Sequence, residues 1–156
     1  GSFAMGGRLG RSIREEKGMA YYAYSSLGAG VGPGPFVVRA GVHPDNVDAA
    51  VGCAFEEIEK IRQEPVTDEE LADAQSAIVR SLPRNLETNE GMASAMHSIE
   101  QYRLGLDYLE RFAGLIGAVS VEQVLATAEK RLHPDRCVVT VAGPYPVADA
   151  DGVEES

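Results

Sequence analysis

Residues 6–24, GGRLGRSIREEKGMAYYAY, constrain the chain most, because a helix-like run meets a strand-like run with a single glycine between them. Leu9 and Ile13 lie one helical turn apart and can share a buried face. Arg8, Arg11, Arg14, Glu15 and Glu16 ring the other sides. Lys17 falls in the last turn, where a cation complements the helix dipole, and Gly18 suits a left-handed end. From 19 to 26 the residues are aromatic and alternate as in a strand. The helix therefore carries Arg14 near its end, and the strand carries Tyr21 just past the turn. A guanidinium and a phenol so placed can converge on one spot. The plainer alternative pairs the arginine with a surface glutamate and uses the tyrosine to fill the sheet core.

The rest of the chain continues in short elements. Residues 28–35, GAGVGPGP, cannot hold a helix and break a strand, so they form a hairpin loop. Residues 36–42 make a second strand, antiparallel to the first, ended by His43-Pro44. Asp45 is the expected N-cap of a helix whose apolar face is Val47, Val51, Ala54, Phe55, Ile58 and Ile61. Glu56, Glu57, Glu59 and Lys60 mostly fill its solvent side. Thr67 with Glu70 reads as a capping box for a helix bearing Leu71, Ile78, Val79 and Leu82, and Pro83 should kink or break it. Met92, Met96 and Ile99 form a helical stripe within 89–104, of the kind that fills a core. A helix follows at 107–119. Ser120 with Gln123 caps the next, which buries Val124, Leu125, Ala128 and Leu132. Residues 137–142 close the folded part as a strand, and the acidic tail 146–156 has too few large apolar residues to order itself. Two strands, a run of helices and one strand specify an α+β fold, a mostly antiparallel sheet with several helices packed on one face.

The segment GGRL followed by IREEKGMAY resembles a signature in the second half of pitrilysin/insulinase-type zinc metallopeptidases, the inverzincins. Arg14 and Tyr21, seven residues apart, fall on that family's arginine–tyrosine pair. The similarity extends through GPFVVRAGVHPDNVDAAV, VTDEELADAQSAIVRSL and the closing CVVTVAGP. The resemblance implies the late portion of a metallopeptidase-like (LuxS/mitochondrial-processing-peptidase-like) domain. Residues 1–145 would then be an incomplete zinc-free peptidase-like domain, its first strands and helices lying upstream. In the family this half has no zinc, and the pair reaches across to peptide bound at the zinc of the other half. What it implies is a substrate-binding portion of a metalloendopeptidase that cleaves unfolded peptides inside a two-half clamshell. The implied partners are a peptide and a zinc-bearing half or subunit, and the missing strands leave a sheet edge open to self-association. A relative that has lost activity and serves as a structural or interaction subunit is the alternative. A small-molecule-binding α+β domain has no motif behind it.

The chain itself lacks the family's H-x-x-E-H centre. The nearest approach, His97-Ser-Ile-Glu100-Gln101, puts a neutral glutamine where a second histidine should be, and glutamine is a poor zinc ligand. His43 and His133 each precede a proline at an element boundary, without partner ligands. No metal ligand, bound cofactor or catalytic residue is therefore expected in this chain, and it should be inactive by itself. Glu15-Glu16 and Glu56-Glu57 diverge by about 100° around their helices and read as solvated faces. Ser25-Ser26 has no nearby base, and the glycine-rich loop lacks the lysine and helix of a phosphate cradle. Cys53 and Cys137 read as two buried free thiols. A net charge of −10 argues against nucleic acid or an anionic membrane as partner. No run approaches the ~18 apolar residues of a membrane span, no signal peptide is apparent, and a cytoplasmic setting is the expectation.

Overall fold

The computed structural model describes residues 7–144 apart from 29, 31 and 33, and the side chains of Glu15 and Glu16 are also outside it. Two compact units result: residues up to 59 together with those from 133, and residues 60–132. Among the described residues no single helix is long and apolar enough to cross a membrane. The expected tail at 146–156 lies outside the described residues.

The first unit is built on strands β1 (Ala20–Leu27) and β2 (Phe36–Val42), paired antiparallel as the alternation requires. Gly28 N–H donates to the Pro35 carbonyl at 2.9 Å and closes the loop between them. Before β1 the chain winds through Gly10–Glu16, and the winding is π rather than α. Met19 N–H accordingly reaches back to the Ile13 carbonyl at 3.0 Å, while Gly18 takes φ of 60°, the left-handed turn foreseen for it. Ile13 is fully buried, with Leu9 packed against it, and meets Ala23 of β1 and Ala50 and Cys53 of helix α1 (Val47–Gln63).

Asp45 does not cap α1. His43 does the capping of a 3-10 turn at Pro44–Asn46, its Nδ1 accepting from Asp45 N–H at 3.4 Å. Pro44 takes the first position of that turn, where its fixed φ fits and its missing N–H costs nothing. The buried face of α1 is Val47, Ala50, Cys53 and Glu57, so Glu57 is not on the solvent side, whereas Val51, Phe55 and Ile58 are only half-buried. Residues 137–142 belong to no strand, although the backbone of Cys137 is extended, and Cys137 is exposed rather than buried. Among the described residues the sheet contains β1 and β2 alone, so this segment has no neighbour to complete a ladder.

The second unit holds α2 (Asp68–Leu86), α3 (Asn89–Gln101), α4 (Tyr108–Gly117) and α5 (Val121–Arg131). Both capping boxes form: Glu70 N–H donates to Thr67 Oγ1 at 3.1 Å, and Gln123 N–H to Ser120 Oγ at 3.3 Å. α2 runs past Pro83, because proline's φ is helical and its place near the C-terminus removes a single backbone bond. α2 contacts α3 and α4. Gln75 Nε2 donates to the carbonyls of Ile116 and Val119, at 3.1 and 2.9 Å, and so ties α2 to the end of α4. Met96 leaves the expected core stripe and is exposed, while Met92 and Ile99 are half-buried. Of the four residues expected to bury on α5, Ala128 does so and Val124, Leu125 and Leu132 are half-buried.

Two predictions follow from this packing. Ile13→Ala removes the centre of the first unit's core and should lower unfolding free energy by about 2–5 kcal/mol, read by denaturant titration of the isolated chain. At the start of α4 the Arg111 guanidinium grips Asp107, Nη2 to Oδ1 at 3.1 Å and Nε to Oδ2 at 2.6 Å. That hydrogen bond, reinforced by the arginine's charge, holds the Asp107 carboxyl below its usual range. The stabilisation is complete above the ordinary aspartate pKa and is lost as pH falls through the lowered value. A carbon-detected NMR titration should place Asp107 below ordinary aspartates, and Arg111→Ala should return it to them.

Candidate functional site

Arg14 stands in the last turn of the π-wound helix, and its side chain is exposed. The winding follows from what bounds it: the chain must deliver Ile13 into the core and still turn at Gly18 into β1. A π turn admits one more residue per hydrogen-bonded ring than an α turn, and such turns are frequent at functional sites.

Tyr21 owes its position to an irregularity in β1. The strand partners run Ala20 with Val42, then Tyr22 with Gly41 and Ala23 with Ala40, so one residue of β1 has been inserted against β2. Tyr21 is that residue. Strict alternation would turn Tyr21 to the same side as Ala23, which is buried against Ile13. The bulge removes it from that side, and Tyr21 is 83% exposed where Ala23 is 2% exposed. The core-filling reading of Tyr21 is therefore not realised.

Gly41 fixes the bulge from the opposite strand. A Cβ there would come within 2.5 Å of the Tyr22 ring, so the ring lies against bare backbone at the point where the register shifts. Tyr22 is braced on its other side by Tyr24, with ring centroids 5.9 Å apart. The π-wound helix packs on β1, so Arg14 and Tyr21 are presented as exposed side chains from two elements in contact. One is a planar fork of donors and the other a phenolic donor, the chemistry suited to carbonyl and oxyanion oxygens.

His97, Glu100 and Gln101 are exposed on α3 in the second unit. His43 caps the 3-10 turn before α1 with Asp45 Oδ2 3.4 Å from its Nδ1. Among the described residues no three of His, Cys, Asp and Glu are grouped as a metal ion requires. The residues present do not fit zinc, and no metal chemistry is assigned to them. Cys53, buried as a free thiol, lies 3.0 Å from Ser12 Oγ and forms part of the core. Glu56 lies 3.8 Å from Lys17 Nζ while Glu57 is buried, so the adjacent carboxylates do not form an acid–base pair. Ser25 and Ser26 are half-buried positions of β1.

Residues 2–78 match the family model of the peptidase M16 inactive domain. The chain is similar to the crystal structure of a peptidase M16 inactive domain from Pseudomonas fluorescens at 26% identity. That match covers 85% of this chain and 31% of that one, with a TM-score of 0.73. It also resembles a protease from Helicobacter pylori (18% identity, 78% and 29% covered, TM-score 0.65). The periplasmic protease PqqL from Escherichia coli is similar as well (22%, 80% and 14%, TM-score 0.58). The last two likenesses are of fold. No curated protein matches the sequence. The chain spans about a third of the length of the Pseudomonas protein it matches. Family model and fold agree with the resemblance carried by residues 6–24: residues 2–78 are similar to the inactive domain of M16 peptidases, and the fold of the chain is similar to such a domain.

Proposed function

We propose that the chain is the substrate-binding part of the zinc-free half of a zinc metalloendopeptidase. Arg14 and Tyr21 hold an unfolded peptide against a zinc centre carried by the complementary half. Tyr21 donates its phenolic hydrogen to the oxyanion that develops at the scissile carbonyl, and Arg14 donates its fork to carbonyl or carboxylate oxygens of the peptide. The chain alone binds and does not hydrolyse. Its partners are the peptide and the zinc-bearing half.

The observation that carries this reading is the bulge at Tyr21. A bulge interrupts a ladder and leaves a large aromatic in water, and bulges that re-aim a side chain are over-represented beside active sites. Here it turns outward the very tyrosine that the family signature marks, next to the helix end that carries the marked arginine.

In the complete enzyme, Tyr21→Phe should remove one hydrogen bond and leave the ring, lowering turnover ~10²–10³-fold, about 2.7–4 kcal/mol. Arg14→Lys keeps the charge without the planar fork and should weaken peptide binding, with a larger loss for Arg14→Ala. Zinc content should be unchanged in all three variants. Steady-state kinetics on a peptide substrate, with metal analysis and thermal melting, tests this. Near-normal turnover with a lowered melting temperature in both Tyr21→Phe and Arg14→Ala would make the pair structural. The assignment of Arg14 and Tyr21 to the site would then be wrong, whereas a complete protein without any turnover would favour the inactive interaction subunit.

A further inference from the structure

The outer face of the hairpin carries more than Tyr21. Ala20, Ala23 and Val42 turn to the cluster around Ile13, so Tyr22 and Tyr24 of β1 and Arg39 and Gly41 of β2 turn the other way. Tyr24 and Arg39 are cross-strand partners, next along that face from Tyr22 and Gly41. The Tyr22 and Tyr24 rings, with centroids 5.9 Å apart, make an aromatic strip beside Tyr21. Arg39 stands exposed at the end of that strip and is the one charged residue of the two strands, AYYAYSSL and FVVRAGV. The chain carries 24 acidic residues against 14 basic ones, yet among the described residues no carboxylate forms an ion pair with Arg39.

We propose, resting on the peptide-binding reading of Tyr21, that Arg39 is a specificity-determining residue that binds a carboxylate of the peptide. Gly41 lies opposite Tyr22 at the bulge, and two residues of β2 separate it from Arg39, about 7 Å of strand. An extended peptide laid along the hairpin covers that span in about two residues. A peptide whose carbonyl meets Tyr21 therefore brings a carboxylate about two residues away within reach of the guanidinium. That carboxylate is an acidic side chain or, near the end of the peptide, the C-terminus itself. The planar fork of arginine takes either one bidentately, and no acid of β1 or β2 competes for it. The aromatic strip along the way accepts apolar stretches of the same peptide and leaves its charge to be read at Arg39. The net charge of −10 repels acidic peptides from the chain at large, so a lone cation on this face selects where such a peptide docks.

The test is equilibrium binding of labelled peptides to the complete protein, read by fluorescence anisotropy with a zinc chelator present so that nothing is cleaved. One peptide set, with amidated ends, carries Glu or Gln at each position in turn. A second set differs only in a free or amidated C-terminus. In one set the carboxylate form should bind about 10- to 100-fold tighter, the worth of a charged hydrogen bond. The first set would assign the side chain as ligand, the second the terminus. Arg39→Gln should erase the difference without lowering the melting temperature, and Arg39→Lys should restore part of it. Wild-type protein that binds peptides but is indifferent to both changes overturns the proposal, as does a preference that survives in Arg39→Gln. Arg39 would then be a charge that only solvates the sheet. Failure to bind any peptide would instead remove the reading of Tyr21, and this one with it.

Discussion

The burial of Ile13 governs the geometry of everything around the candidate site. The side chain has no exposed surface and touches Ala23, Ala50 and Cys53, so a helix, a strand and a second helix are fixed to one another at a single point. Small partners make this possible, because two alanines and a cysteine let three backbones approach closely. Arg14 follows Ile13 directly in sequence and stands exposed on the helix end, turned to water as Ile13 is turned to the core. Tyr21 sits two residues before Ala23 and, as the inserted residue, is turned away from the same core. The two exposed donors are thus consequences of what Ile13 excludes.

Much of the second unit's local order was legible because it is carried by neighbours in sequence. Thr67 with Glu70 and Ser120 with Gln123 close their boxes over three residues, and no tertiary partner is needed. Gly18 and the β1–β2 hairpin are local in the same sense. The bulge is not. It depends on the Tyr22 ring lying against Gly41 across the hairpin, and neither strand read alone reveals a shift of one position. The π winding is similarly a compromise between the core and the turn. Glu57, Cys137 and Asp45 were misplaced for related reasons. Glu57 is buried on a face that periodicity assigns to water, Cys137 lacks a sheet to enter, and Asp45 yields its capping position to His43 because Pro44 starts the turn.

The apolar stripe of α1 shows the same tension from the other side. Periodicity identifies Val51, Phe55 and Ile58 correctly as residues that need cover, yet among the described residues they face an open groove. The site residues and the groove lie in the same unit.

An inserted residue in β1 turns Tyr21 outward. Cross-strand nuclear Overhauser contacts in the isolated chain measure this directly. Ala20 should pair with Val42 and Tyr22 with Gly41, with Tyr21 outside the ladder. A continuous ladder that sets Tyr21 opposite Gly41 and Tyr22 opposite Ala40 would contradict it, because Tyr21 would then share the side of Ala23 and point into the core.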